Sequence, residues 1–205
     1  MSEVILVGDL TPPPINEKEI MRYARAGGSE SDRALLLACL EEALPALRYH
    51  AVYRVCSLRR TPKGLDLGFA LTDASSLIKH LDGCQAVIVV ALTLGMGMDR
   101  LLMRYKKIAP ARAWMLDAIG NERIESLADA LTVFLAEQYG EITKRYSPGY
   151  GDLPLSMQRD IFSALSLTKQ IGLCLSEGLL MTPEKSVTAL IGVKNMSERL
   201  AAQLP

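Results

Sequence analysis

The sequence predicts an α+β fold, with a central, mostly antiparallel sheet and several long helices. Three observations carry that expectation. Within residues 84–94 the run Ala86-Val87-Ile88-Val89-Val90-Ala91-Leu92 is apolar at every position, the pattern of a buried strand. Helical character runs from Pro110 to about Gln138, with Ile124, Leu127, Ala128, Leu131, Phe134 and Leu135 at helical spacing. Strand-like and helical segments do not alternate regularly, and no repeat period or low-complexity segment interrupts them.

In chain order, residues 3–7 read as a short strand and Thr11-Pro12-Pro13-Pro14 as a stiff, extended linker. Asn16 is placed as an N-cap, with Glu19 three residues on, opening a helix to about Ala26 that Gly27-Gly28 stops. Ser29 or Ser31 opens the next helix, whose apolar stripe is Ala34, Leu35, Ala38, Cys39 and Leu40, and Pro45 bends or ends it. Residues 51–56 are β-prone and Pro62-Lys63-Gly64 is a turn. Leu65, Leu67 and Phe69 then alternate with Asp66 and Gly68 as an antiparallel return strand. A short helix is expected over 73–81, ended near Gly83. After the buried strand, Gly95 and Gly97 break the pattern and residues 98–107 are helical. Pro110 suits a helix start, and Gly120-Asn121 is a candidate interruption. Another helix is expected over 156–167. Residues 178–181 and 187–193 read as a hairpin around the turn Pro183-Glu184-Lys185-Ser186, and a short helix over 197–203 closes the chain.

A chain of 205 residues suits one domain, 1–205, with the strand, Pro-rich linker and helix of residues 1–30 as an appendage. Hydrophobic residues make up 49%, ample for a core. Lys plus Arg and Asp plus Glu are 23 each, so no basic surplus points to nucleic acid. No run approaches the ~18 apolar residues of a membrane span. The N-terminal apolar run is too short for a signal segment and no basic residue precedes it, so a soluble, cytoplasmic protein is expected. Cys39, Cys56, Cys84 and Cys174 are scattered within apolar runs with no Cys-x-x-Cys pair. They are expected to be reduced, buried packing residues rather than zinc, iron–sulfur or redox ligands.

Several signatures are absent. There is no Gly-x-Gly-x-x-Gly, Walker A loop or Gly-x-Ser-x-Gly elbow; Gly95-Met96-Gly97 follows a strand but lacks the third glycine. His50 and His80 are the only histidines, and a surface or structural role is expected for both. His80-Leu81-Asp82-Gly83 departs from a cobalamin-ligating Asp-x-His-x-x-Gly motif, because position 78 is Ile78 and the glycine comes one residue early.

The densest concentration of functional groups is Arg145-Tyr146-Ser147-Pro148-Gly149-Tyr150-Gly151-Asp152-Leu153-Pro154, between two helical patterns. A Pro-Gly pair forces a turn there, and Gly149 and Gly151 admit a close approach of backbone. At Arg145-x-x-Pro148-Gly149-Tyr150 the chain resembles the activation domain of cobalamin-dependent methionine synthase. The likeness extends back through Leu116-Asp117-Ala118-Ile119-Gly120 and Glu125-Ser126-Leu127-Ala128-Asp129. It extends forward through Leu175-Ser176-Glu177-Gly178-Leu179-Leu180-Met181-Thr182-Pro183 to Ser186-Val187. Residues 110–193 carry nearly all of it, and the chain looks like a stand-alone version of that domain.

The resemblance implies a C-shaped domain with a twisted antiparallel sheet that binds S-adenosylmethionine. It implies docking over the cobalamin module of a separate methionine synthase, or of another corrinoid methyltransferase, to support reductive methylation of cob(II)alamin. The electron comes from a flavodoxin-like donor and the cobalamin is carried by the partner. No catalytic residue and no metal are expected in this chain, which would be an accessory component. Among the implied cofactor-binding residues, Arg145 matches the motif arginine, able to grip a carboxylate bidentately. Ser147 and Gly149 match positions of backbone contact, and Tyr150 matches the motif tyrosine. Glu125 and Asp129, one helical turn apart, match a carboxylate pair suited to an ammonium and a sulfonium. Asp117 and Asn121 continue that stripe. Two departures stand out. The family commonly continues with Ala-Cys-Pro where this chain has Gly151-Asp152-Leu153-Pro154, and Asp152 is expected to cap the following helix. Ile191 falls where full-length synthases carry a ligand-contacting tyrosine.

Two other functions are kept open. A self-contained methyltransferase for a small acceptor would need an activating residue, and neither histidine lies near Arg145 in sequence. An interaction protein that has kept the fold and lost the ligand is the other.

Overall fold

The computed structural model describes residues 3–7, 10 and 13–195. The helix expected over 197–203 lies outside the described residues. Four strands form the main sheet in the order β1-β2-β6-β9, antiparallel throughout: β1 (Ile5–Leu6), β2 (His50–Ser57), β6 (Ala86–Thr93) and β9 (Ser186–Val193). Every residue of β6 is buried, as its unbroken apolar run requires. The strand period of two divides it between two cores. Ala86, Ile88, Val90 and Leu92 face one cluster, and Val87, Val89 and Ala91 the other.

The first core is covered by α1 (Glu17–Ala24), α2 (Glu30–Ala43), α4 (Met96–Tyr105) and α5 (Pro110–Tyr139). Asn16 caps α1 by accepting from the Glu19 amide at 3.2 Å. Glu19 does not reach back to complete a box; it pairs with Arg22 one turn on. Ser29 opens α2 with a complete capping box whose reciprocal carboxylate is Asp32. Pro45 converts the end of α2 into a 3₁₀ turn over Leu44–Ala46. The second core is covered by α3 (Ser75–His80), α6 (Met157–Leu165) and α7 (Leu167–Ile171), with Ser166 in the left-handed region separating the last two.

Three expectations are corrected. Gly120-Asn121 does not interrupt α5, which runs unbroken from Pro110 to Tyr139. The methylene stem of Lys185 crosses Gly120 so closely that a Cβ would lie 3.0 Å from its Cε, so this glycine makes room rather than a break. The return strand does not join β2, whose two edges are already taken by β1 and β6. Instead β4 (Gly64–Asp66) pairs with β3 (Arg59–Thr61) and β5 (Leu71–Thr72) in a small separate sheet, burying Leu65. The C-terminal hairpin is also absent. Met181–Thr182 (β8) pairs with Cys174–Leu175 (β7), while β9 runs beside β6 over its whole length. A full-length ladder between two buried strands outweighs a short hairpin.

The break at Gly95 and Gly97 also has a packing reason. A Cβ at Gly97 would fall on the Ala46 carbonyl, so the start of α4 lies directly against the 3₁₀ turn. Of the four free cysteines only Cys39 and Cys56 are buried; Cys84 is half-buried and Cys174 is exposed, because its short strand lies at the surface. No described helix is long and apolar enough to cross a membrane.

Helix α5 buries an ion pair. Arg123 and Glu122 side chains are each 1% exposed, and Arg123 Nε donates to Glu122 Oε2 at 2.5 Å. The guanidinium also donates to the carbonyls of Pro13 (2.6 Å) and Pro14 (2.9 Å), and Glu122 accepts from the Asn16 amide and the Ser126 hydroxyl. The Pro-rich segment cannot use its ring nitrogens as donors, so its carbonyls are what the guanidinium grips. Removing one partner of such a pair strands the other. Arg123→Met is expected to lower the unfolding free energy by about 3–5 kcal/mol. The double variant Glu122→Leu/Arg123→Met is expected to lose much less than the sum of the single losses, as read from urea denaturation midpoints.

Candidate functional site

Beyond α5 the chain returns along the open edge of β9. Ile142 bridges to Val193 and Tyr146 to Leu190, the latter through backbone bonds of 2.9 and 2.8 Å. Extended backbone sends successive side chains to opposite faces. Tyr146 turns toward α3, where its hydroxyl donates to Ser76 Oγ at 2.7 Å. Arg145 turns toward α5.

There the Arg145 guanidinium meets the two carboxylates one turn apart. Its Nη2 lies 3.0 Å from Glu125 Oε2 and 3.1 Å from Asp129 Oδ1. The arginine side chain is 22% exposed, against 50% for Glu125 and 76% for Asp129, so the cation is the shielded member and the anions face water. Arg145 Nη1 is buried and has no hydrogen-bond partner. The guanidinium therefore keeps hydrogen-bonding capacity that the chain's own carboxylates leave unused.

The turn that follows is held by its own backbone. Tyr150 N donates to Ser147 O at 3.1 Å, Leu153 N to Tyr150 O at 3.0 Å, and Gly149 N to Leu153 O at 2.9 Å. Gly149 and Gly151 both take positive φ, +92° and +54°. At Gly151 a Cβ would also collide with Ser76 Oγ and the Tyr146 hydroxyl. Pro148 is buried beneath the turn. Tyr150 is 60% exposed, its ring edge-on to Tyr146 with centroids 6.0 Å apart.

Asp152 does not cap the helix that follows it. Its carboxylate accepts from the Ser75 amide (2.7 Å), the Ser75 hydroxyl (2.7 Å), the Ser76 amide (3.0 Å) and the Ser76 hydroxyl. It therefore caps α3, far earlier in the chain. The physical reason lies at position 74: the residue preceding α3 is Ala74, with no side-chain acceptor, so the free amides of the first turn take a carboxylate from elsewhere. Hydrogen bonds from Ser76 and then Ser75 hold the Asp152 carboxyl well below the usual carboxylate range.

The rest of the α5 polar stripe has a different partner. Lys185 Nζ lies 2.6 Å from Asp117 Oδ1 and 2.8 Å from Asn121 Oδ1, with the lysine side chain 8% exposed. Asp117 and Asn121 are therefore engaged by the turn before β9 and stand apart from the Arg145 cluster. Sequence reasoning missed Lys185; only the Asp117–Asn121 spacing pointed to it, and nothing paired that spacing with position 185. It also missed Ser75 and Ser76. His80, remote in sequence, is close in space: its Nε2 is 2.8 Å from the carbonyl of Lys144 and its ring packs on Tyr146 at 4.9 Å. Ile191 is fully buried in the core cluster that includes α5, pointing inward from β9.

The structure thus brings Arg145, Glu125 and Asp129 into direct contact, with Ser147, Gly149 and Tyr150 on the adjoining turn. A family model described as the vitamin B12 dependent methionine synthase activation domain matches residues 68–202, a span that includes all six. The chain belongs to this activation-domain family. A crystal structure of the MetH reactivation domain bound to AdoHcy has the same fold, with a TM-score of 0.67 at 15% identity over 96% of this chain and 80% of that one. No curated protein matches. The open antiparallel sheet with helices on both faces is therefore the activation-domain architecture, and the N-terminal residues outside the family match are included in the structural likeness.

The depressed carboxyl of Asp152 carries a pH signature. Its contribution to stability is fully present above the unfolded aspartate value, about 3.9, and is lost as pH falls through the lower folded value. Asp152→Asn is expected to be less stable than the parent at neutral pH. The difference should narrow as pH drops below about 4, measured by thermal unfolding across a pH series.

Proposed function

We propose that this chain binds S-adenosylmethionine at the Arg145 cluster and presents it to the cobalamin of a separate methionine synthase or another corrinoid methyltransferase. The observation that carries the reading is the half-used guanidinium: Arg145 Nη1 is shielded and unpaired, and Nη2 sits against Glu125 and Asp129. An amino-acid end group has a carboxylate and an ammonium on one carbon. The carboxylate complements Arg145, and the ammonium complements the two exposed carboxylates that Arg145 now holds. Backbone at Ser147 and Gly149 lies along the ligand, and the exposed Tyr150 ring forms a wall. The AdoHcy bound by the MetH reactivation domain supports a ligand of this class.

When bound, S-adenosylmethionine supplies a methyl group on its sulfonium. The chain's own work is binding and orientation, and no general base is required. The reading includes a flavodoxin-like electron donor, a cytoplasmic setting, and residues 1–205 acting as one domain. One observation favours a second reading, an interaction protein that has kept the fold without the ligand: Ile191 is sealed in the core and offers nothing to an adenosyl group.

Calorimetry separates the two. Micromolar binding of S-adenosylmethionine is expected, weakened about 10- to 100-fold by Arg145→Ala, the loss of a charge-assisted contact. No heat at millimolar ligand would leave the interaction protein as the better account.

A further inference from the structure

The first turn of α4, the start of α6 and the segment before β9 line a cleft of about 630 Å³, with Asp99, Leu155, Gln158, Leu180, Met181 and Glu184 among its residues. We infer that this cleft is a binding site for a primary ammonium carried on an apolar stem.

Two acceptors here are left without donors. Asp99 Oδ1 accepts from the Glu184 amide at 2.8 Å, but Asp99 Oδ2 is buried and unpartnered. Gln158, a residue only 6% exposed, has its Oε1 buried and unpartnered as well. Three buried side-chain atoms among the described residues lack partners, and two of them are on residues that line this one cleft. A buried acceptor without a donor is costly to the fold, so a pair of them marks a place where a donor is missing.

Among the described residues, none supplies a cation to this cleft. None of its lining residues is Lys, Arg or His, while Asp99 and Glu184 both line it. Lys185 is adjacent in sequence, yet its ammonium is committed to Asp117 and Asn121 on the other side of the turn. Arg159, next to Gln158, donates to the Glu177 carbonyl. An external ammonium brings three donors and the charge that complements a carboxylate. The apolar stem follows from the rim: Leu155 is 41% and Leu180 72% exposed, and Met181 adds an adaptable surface. Leu179, also lining the cleft, is held at φ +64°, a strained backbone of the kind that collects at ligand clamps. The Arg145 cluster is built from other residues, so this inference stands independently of the proposed function.

The test uses the full chain, labelled at methionine methyls and side-chain amides for NMR, titrated with n-hexylammonium and with n-hexanol. Saturable shifts of the Met181 methyl and the Gln158 amide are expected for hexylammonium, with hexanol at least about tenfold weaker. Asp99→Asn is expected to weaken hexylammonium about tenfold or more. Gln158→Met removes the orphaned acceptor, so it is expected to raise Tm while weakening hexylammonium similarly. Equal affinity for amine and alcohol, unchanged affinity in both variants, or no saturable shift at Met181 each overturn the inference.

Discussion

Helix α5 carries charged and amide side chains that call for partners, whether sealed from water, as Glu122 and Arg123 are, or facing it, as Glu125 and Asp129 do. Three distant segments meet that need. The Pro13–Pro14 carbonyls come to Arg123, the turn before β9 brings Lys185 to Asp117 and Asn121, and the strand after α5 brings Arg145 to Glu125 and Asp129. The helix thus sets the positions of the N-terminal segment, the entry to the last strand and the candidate site. Packing alone would let these segments slide; directional polar contacts give each one a register.

The site draws on a second constraint, the open edge of β9. An unpaired strand edge is a liability, and residues 142–146 cover part of it. Because that cover is extended, it splits its own side chains between the two faces. Arg145 is delivered to the α5 side, and Tyr146 to the α3 side, where Ser76 and His80 hold it. The turn beyond is then pinned from both ends: Asp152 is fastened to α3, and Gly151 leaves no space between Ser76 and Tyr146. A conformationally defined Gly149–Tyr150 segment is the consequence, and a ligand that meets it loses little to reordering.

Much of this was legible in the sequence. The buried strand, the long helix from Pro110, the caps at Asn16 and Ser29 and the turn at Pro148-Gly149 are local signals, since each depends on residues a few positions apart. The Glu125–Asp129 pair was legible for the same reason. Strand partners were not. The strands expected over 65–69 and 178–181 formed only in part, as Gly64–Asp66 and Met181–Thr182, and each took a neighbour that depended on which edges were still free.

By itself, the sequence determined the α+β class, the elements around β6 and α5, and the family likeness carried by Arg145 to Tyr150, because hydrophobic period and turn chemistry act at short range. Only the tertiary structure decided what those residues touch. It closed Arg145 onto Glu125 and Asp129, gave Asp117 and Asn121 to Lys185, turned Asp152 back to α3, and sealed Ile191 in the core. Each of these is a contact between residues far apart in the chain. Such contacts are chosen by burial and by the gain from pairing polar groups that the fold brings together, and neither quantity exists until the chain has folded.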